Sequence, residues 1–134
     1  MSQENVEVVR AVIDAQGRQD WEAFPQLYNP EIEWDDVAGL WGDWGTRRGF
    51  DDVRNAFLTW FEAFEQVDFR LEGGILESDD DVVTPIRVSG RGRESGLRVD
   101  QLIWMVRTVR GGRIRRVRAS RDKTPALEAA GLSA

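Results

Sequence analysis

Val6, Val9 and Ile13 recur at three- and four-residue spacing behind Ser2, with Val12 beside them. That pattern predicts an amphipathic helix with a hydroxyl cap and a stop near Gly17. Asp20 can cap a second, shorter helix carrying Trp21, Phe24, Leu27 and Tyr28; Pro25 should kink or shorten it, and Asn29-Pro30 should end it. Period two then takes over. Glu31 to Asp36 alternate as a strand with Ile32, Trp34 and Asp36 on one face. Residues 37–49 read as a glycine-rich loop that nevertheless carries Leu40, Trp41 and Trp44. From Asp51 a strong helical stripe runs through Val53, Phe57, Trp60, Phe61 and Phe64.

The second half reads as an antiparallel meander. Val67, Phe69 and Leu71 alternate, Gly73-Gly74 predicts a bulge or bend, and Ile75-Leu76 continue the strand. Residues 78–81 turn the chain into a strand over 82–89, and residues 90–96 form a hairpin loop. A long strand from Leu97 to about Arg110 is turned by Gly111-Gly112 into a last strand over 114–121. Thr124-Pro125 opens a final short helix that Gly131 ends. The order is ααβαββββ plus a short C-terminal helix: an α+β class in which three helices of the N-terminal half cover one face of a curved antiparallel sheet. No repeat or linker interrupts the 134 residues, so 1–134 is one domain.

Composition removes several chemistries. The chain has no cysteine and no histidine. Disulfides, thiolate nucleophiles and Ser-His-Asp triads are therefore excluded, together with the usual general base and commonest metal ligand at neutral pH. Proton transfer falls to Asp, Glu, Tyr28 or water, and no cofactor is called for. Six Trp and six Phe within 41% hydrophobic residues describe a globular chain. No apolar run approaches the ~20 residues of a membrane span. The opening residues lack a basic, apolar leader, which makes a cytoplasmic location the expectation.

Charge is lopsided. Residues 1–81 hold 20 acids and 6 bases, whereas residues 82–134 hold 12 bases and 4 acids. Of the 18 basic residues, 17 are Arg, a bias associated with GC-rich bacterial genomes. The basic run from Arg107 to Lys123 raises the question of nucleic acid. Period two splits its arginines between the two faces of a strand, however, and the acidic pI is wrong for a nucleic-acid binder. The GRGRESG loop joins two strands instead of opening a helix, so it is a poor phosphate cradle.

The opening SQENVEVVRAVIDAQGRQDWEAF, the segment YNPEIEW, the helix start RRGFDDVRNAF, the turn RGGRI and the tail ALEAAGL together resemble the SnoaL-like branch of the nuclear transport factor 2-like superfamily, over essentially the whole chain. The resemblance implies a cystatin-like cone, a pocket for a small organic molecule between the concave sheet face and the helices, and frequent homodimers through the outer sheet face. Members include isomerases, cyclases, dehydratases, epoxide hydrolases and non-enzymatic binding modules, so the activity is left open.

Candidate chemistry follows from alternation and from this resemblance. Asp36, among Trp34, Trp41 and Trp44, is the candidate general acid or base, because aromatic desolvation raises a carboxyl pKa. The plain alternative is an ion-paired carboxylate held by Arg47 or Arg48. On the long strand both faces are apolar; the resemblance favours Asp100, Leu102, Trp104 and Val106 as the inward set, with Arg115, Val117, Ala119 and Arg121 inward on the last strand. Asp100 is then a second catalytic candidate, with Arg121 orienting substrate. Trp34, Trp60 and Trp104 line the core or the pocket, Trp41 and Trp44 a lid, and Tyr28 turns its hydroxyl to solvent.

Asp36 aligns with the catalytic aspartate of ketosteroid isomerases, but Val12 and Trp104 stand where that family has its oxyanion-hole tyrosine and acid. The water-activating Asp-Arg-Asp set of limonene epoxide hydrolases is also incomplete. Arg87 and Ser89 occupy the aligned strand, Arg98-Val99-Asp100 lies one strand later, and Ala119 replaces the final acid. Two readings remain: a cofactor-independent isomerase, cyclase or dehydratase, and a non-catalytic ligand-binding or dimerisation module.

Overall fold

The computed structural model describes residues 2–36 and 46–132; for Ser2 and Asp36 it describes the backbone alone. Helix α1 (Ser2–Arg18) runs through Gly17 and ends one residue beyond it, at Arg18. Gln19 takes a positive φ of 55°, and the Asp20 amide donates to the Ala15 carbonyl at 2.9 Å. This is a left-handed helix stop built without glycine. The second helix is shorter than its apolar spacing predicts. Pro25 lies in the first turn of α2 (Phe24–Leu27), where its missing N–H costs nothing, and residues 21–23 form a turn before it. Tyr28 already belongs to β1 (Tyr28–Asp36).

Part of the expected loop is a strand, β2 (Thr46–Arg48), antiparallel to β1. Helix α3 (Phe50–Ala63) buries Val53, Ala56, Phe57, Trp60 and Phe61, the predicted stripe, while Phe64 opens β3 (Phe64–Leu71). The chain then bends at Gly73 and returns as β4 (Leu76–Ser78) on the same edge of β5 (Asp81–Gly92). A Cβ at Gly73 would lie 3.0 Å from the Pro85 ring, closer than an ordinary contact, so a side chain there would have to push the ring aside. Strands β6 (Arg98–Arg110) and β7 (Arg113–Ser120) join through Gly111 and Gly112, both at positive φ as a tight hairpin requires. Helix α4 (Lys123–Ala129) stops two residues before Gly131, whose φ is 76°.

The sheet is curved and unclosed, in the order β2-β1-β7-β6-β5-β3, with β4 beside β5. It is mixed: β1 runs parallel to β7, and every other pairing is antiparallel. Helices α1, α2 and α3 cover the concave face and share its core with Ile32, Trp34, Ile86, Val88, Ile103, Met105 and Val117. Helix α4 lies on the opposite face, where Ala126, Leu127 and Ala130 pack on Val83 and Val106.

That second cluster corrects the face expected of the long strand. Ile103, Met105, Arg107 and Val109 are buried in the main core, whereas Trp104 packs with the α4 cluster and Asp100 is exposed. The set containing Asp100 and Trp104 therefore faces outward. Its apolar character comes from the helix that covers it. On β7, Val117 and Ala119 are inward as expected. A register shift between Thr108 and Val109 brings Ile114 to the same side, and Arg115 is partly exposed.

Candidate functional site

The concave interior is lined by aromatic side chains from β1, α2, α3, β3 and the turn before α2. Trp34 meets Phe57 edge-to-face at 5.0 Å, and Trp60 stacks on Phe64 at 4.7 Å. Trp21, Phe24 and Phe61 continue the cluster. Trp34 is wholly buried and Trp60 nearly so, which places both candidates in the core wall. Trp41 and Trp44 lie outside the described residues.

Within this apolar lining sits a cation that sequence reasoning missed. Arg107 is 1% exposed and projects from the inward face of β6. Its own row across the sheet is Val82, Arg107, Val117 and Trp34. The guanidinium reaches into the next row, donating from Nη1 to Thr84 Oγ1 at 2.9 Å and from Nη2 to Met105 Sδ at 3.3 Å. Nη2 also donates to Gln16 Oε1, on α1, at 3.4 Å. These contacts engage three of the five guanidinium donors. Among the described residues no carboxylate forms an ion pair with it. Burial pushes the Arg107 pKa down to about 10, with a smaller opposing effect of Tyr28. The side chain is still charged at neutral pH.

Three more facts make the neighbourhood unusual. Arg107 Nε, Gln16 Nε2 and the Tyr28 hydroxyl are all buried and have no hydrogen-bond partner among the described residues. All three can donate. Tyr28 is 1% exposed, so its hydroxyl does not reach solvent as expected. Desolvation raises its pKa above the ordinary phenol value, and the Arg107 charge partly offsets that rise. The sequence carried one signal for this cluster: Arg107 interrupts the apolar series Ile103, Met105, Val109 at an inward position.

The backbone of Asp36 pairs with Ala119, Ala119 with Met105, and Met105 with Thr84. Asp36 thus occupies the same row of the sheet that anchors the guanidinium, two strand spacings from Met105, or roughly 10 Å. Ala119, wholly buried, stands between them with the smallest side chain of the row. Arg47, an expected partner of Asp36, pairs with Asp52 at 3.3 Å.

The remaining candidates lie elsewhere. Asp100 is on the outer face, 3.4 Å from Arg87, which also grips Glu72 at 2.5 Å. The hydrogen bond from Arg87 holds the Glu72 carboxyl below its usual range. Trp104 lies under Lys123, whose ammonium is 5.4 Å from the ring centre. Arg121 is exposed in the bend after β7. The structure therefore does not bring Asp100, Trp104 or Arg121 together with the interior. The basic run disperses as its alternation predicts: Arg115 donates to the Glu31 carbonyl at 2.7 Å, and Arg118 reaches Asp81 and the Ala129 carbonyl. Among the described residues no cluster of acidic side chains could hold a metal ion, and no helix is long and apolar enough to cross a membrane.

This architecture has known counterparts. The SnoaL-like domain family matches residues 9–117. The chain belongs to the SnoaL-like family. Among solved structures it is similar to a nuclear transport factor 2-like protein of Burkholderia xenovorans LB400, at 24% identity and a TM-score of 0.74, covering 96% of this chain and 95% of that one. A candidate SnoaL-like polyketide cyclase from Jannaschia sp. CCS1 matches at 21% identity and 0.76, covering 96% and 91%. TerC, co-crystallised with polyporic acid, matches at 21% identity and 0.75, covering 95% and 97%. At these identities the likeness establishes the fold. No curated protein matches the chain.

Proposed function

We propose that this SnoaL-like protein binds a small organic molecule between the concave sheet face and the helices. There it acts as a cofactor-independent isomerase, cyclase or dehydratase, with Asp36 as the acid or base. The carrying observation is the row Asp36, Ala119, Met105, Thr84, which runs from the candidate carboxylate position past a small residue to a buried cation. An aromatic wall beside that row suits a flat, conjugated ligand. A proton taken from carbon beside a carbonyl leaves an oxyanion, which the opposite end of the row is equipped to receive. The names of the Jannaschia protein and of TerC's ligand suggest aromatic polyketide ketones and polyporic acid as first compounds to try.

The test is a fluorescence screen of such compounds, followed by turnover assays on wild type and Asp36→Asn. Quenching of the buried tryptophans with turnover lost in the variant supports the enzyme. Binding without turnover in either protein favours the non-catalytic binding module. Loss of neither binding nor turnover in Asp36→Asn removes Asp36 from the mechanism.

We also propose a homodimer through the outer sheet face. The part left uncovered by α4 mixes Arg70, Arg87 and Arg98 with Glu72 and Asp100, a pattern suited to self-pairing about a two-fold axis. Sedimentation equilibrium decides it: a monomer at all concentrations rules the dimer out.

A further inference from the structure

Among the described residues, the buried polar groups left unpartnered around Arg107 can all donate a hydrogen bond. Arg107 supplies Nε, Gln16 supplies Nε2 and Tyr28 supplies its hydroxyl. The guanidinium is held in place by Thr84 on β5 and Gln16 on α1, so its position is set before any ligand arrives. Among the described residues this buried cation has no counter-charge, which is costly; proteins normally pair such a group or replace it by an apolar one. The neighbours here are Met105, Val82 and Val117, which offer no negative charge. A water molecule could satisfy the spare donors, but it could not neutralise the charge.

We propose that Arg107, with the Tyr28 hydroxyl and the Gln16 amide, is a built-in receptor for one negatively charged oxygen of the ligand, a carboxylate or an acidic enol carried on an aromatic skeleton. The inference deepens the small-molecule reading above and rests on it. It assigns the ligand's charge and polarity: the anionic end lies at the Thr84–Met105 row and the apolar body against Trp34 and Phe57. A guanidinium meets a carboxylate through two parallel N–H donors, which gives orientation as well as affinity. Arg107 thereby discriminates between an acid and a neutral compound of the same shape, because only the acid relieves the buried charge.

Matched probes test this directly. Naphthoate and naphthamide share a skeleton and differ in charge; their binding is followed by tryptophan fluorescence and calorimetry in wild type, Arg107→Met and Tyr28→Phe. Wild type should bind naphthoate at least about tenfold more tightly than naphthamide. Arg107→Met should erase that ratio while still binding the amide, and Tyr28→Phe should reduce it a few-fold. A second arm does not depend on the skeleton: acetate should raise the unfolding midpoint of wild type and Tyr28→Phe above that in acetamide plus sodium chloride of equal ionic strength, and should leave Arg107→Met unmoved.

Equal binding of the two naphthyl compounds with no acetate effect overturns the anion receptor and leaves the small-molecule cone standing. An acetate effect that depends on Arg107, with neither naphthyl compound bound, supports the receptor and counts against an aromatic ligand. Should Arg107→Met fail to fold, Arg107→Lys replaces it. Lysine keeps the charge and loses the fork, and an unchanged acid-to-amide ratio there overturns the two-donor geometry.

Discussion

Replacing Arg107 by methionine should cost the unliganded protein little stability. The reason is a near balance of two effects. Burial lowers the arginine pKa from 12.5 to about 10, and at 1.36 kcal/mol per unit the cation is disfavoured by roughly 3 kcal/mol. Methionine relieves that cost and fills most of the same volume beside Met105. In return it orphans two oxygen acceptors, Thr84 Oγ1 and Gln16 Oε1, at about 1–2 kcal/mol each. The sum lies within about 2 kcal/mol of zero, and at this chain length the melting temperature should move by no more than about 8 °C.

Urea unfolding at pH 7 measures the free energy, and its slope checks that the denatured state is unchanged. A loss of about 3–5 kcal/mol would refute the reasoning, because that is the signature of breaking a buried ion pair. The Asp36 carboxylate would then be the suspect. A double variant with Asp36→Asn no less stable than the single one would identify it.

The pH dependence adds a second check. Arg107 has a lowered folded-state pKa, so its cost is complete below pH about 10 and is relieved as pH climbs from there toward 12.5. Tyr28 has a raised one, so folding holds the neutral phenol and stability falls once pH passes the unfolded value near 10. The two slopes oppose each other in wild type. Arg107→Met should leave only the fall, and Tyr28→Phe only the rise.

Tyr28 is the only tyrosine, so tyrosinate absorbance reports it alone; none should appear at pH 10 to 11 in folded protein, and its appearance there would show that the hydroxyl is solvated. Ala119→Leu should destabilise by about 1–3 kcal/mol through overpacking and abolish naphthoate binding, both read from one set of unfolding curves with and without ligand. Asp81→Ala removes the acceptor shared by Thr108 and Arg118 on the outer face and should lower stability by about 2 kcal/mol in urea while leaving ligand affinity unchanged. Asp100→Asn should change neither ligand affinity nor turnover, since Arg87 keeps its closer partner Glu72; a change in either would return Asp100 to the site.

The class and most elements were legible because their periods are strong. The α3 stripe, the Gly111-Gly112 hairpin and the terminal helix all depend on short-range rules. What failed depended on the rest of the molecule. The faces of β6 were indistinguishable by alternation, because α4, three elements away from β5, makes the outer face apolar too. Tyr28 reads as a helix end with its hydroxyl in water; it is buried because it opens β1 inside the core, with Phe24 of α2 against its ring. Of the proposed site, the Asp36 candidate came from the family resemblance, whereas Arg107 looked like one more member of a solvated basic run. A charged residue in an inward slot of an apolar series is the signal that would have found it.

The parallel pairing of β1 with β7 has a consequence for the order of assembly. Trp34 must meet Val117, more than 80 residues later, before the concave core can close. During synthesis the first half of the chain therefore emerges with Trp34, Phe57 and Trp60 lacking their final cover. Such distant contacts slow folding and leave apolar surface open to aggregation or chaperones meanwhile. The Arg107 cluster draws on residues 16, 28, 84 and 107, so it is complete only once nearly the entire chain has been made. A chain cut before residue 107 would lack the proposed anion receptor altogether, so on that proposal binding competence and completed folding arrive together.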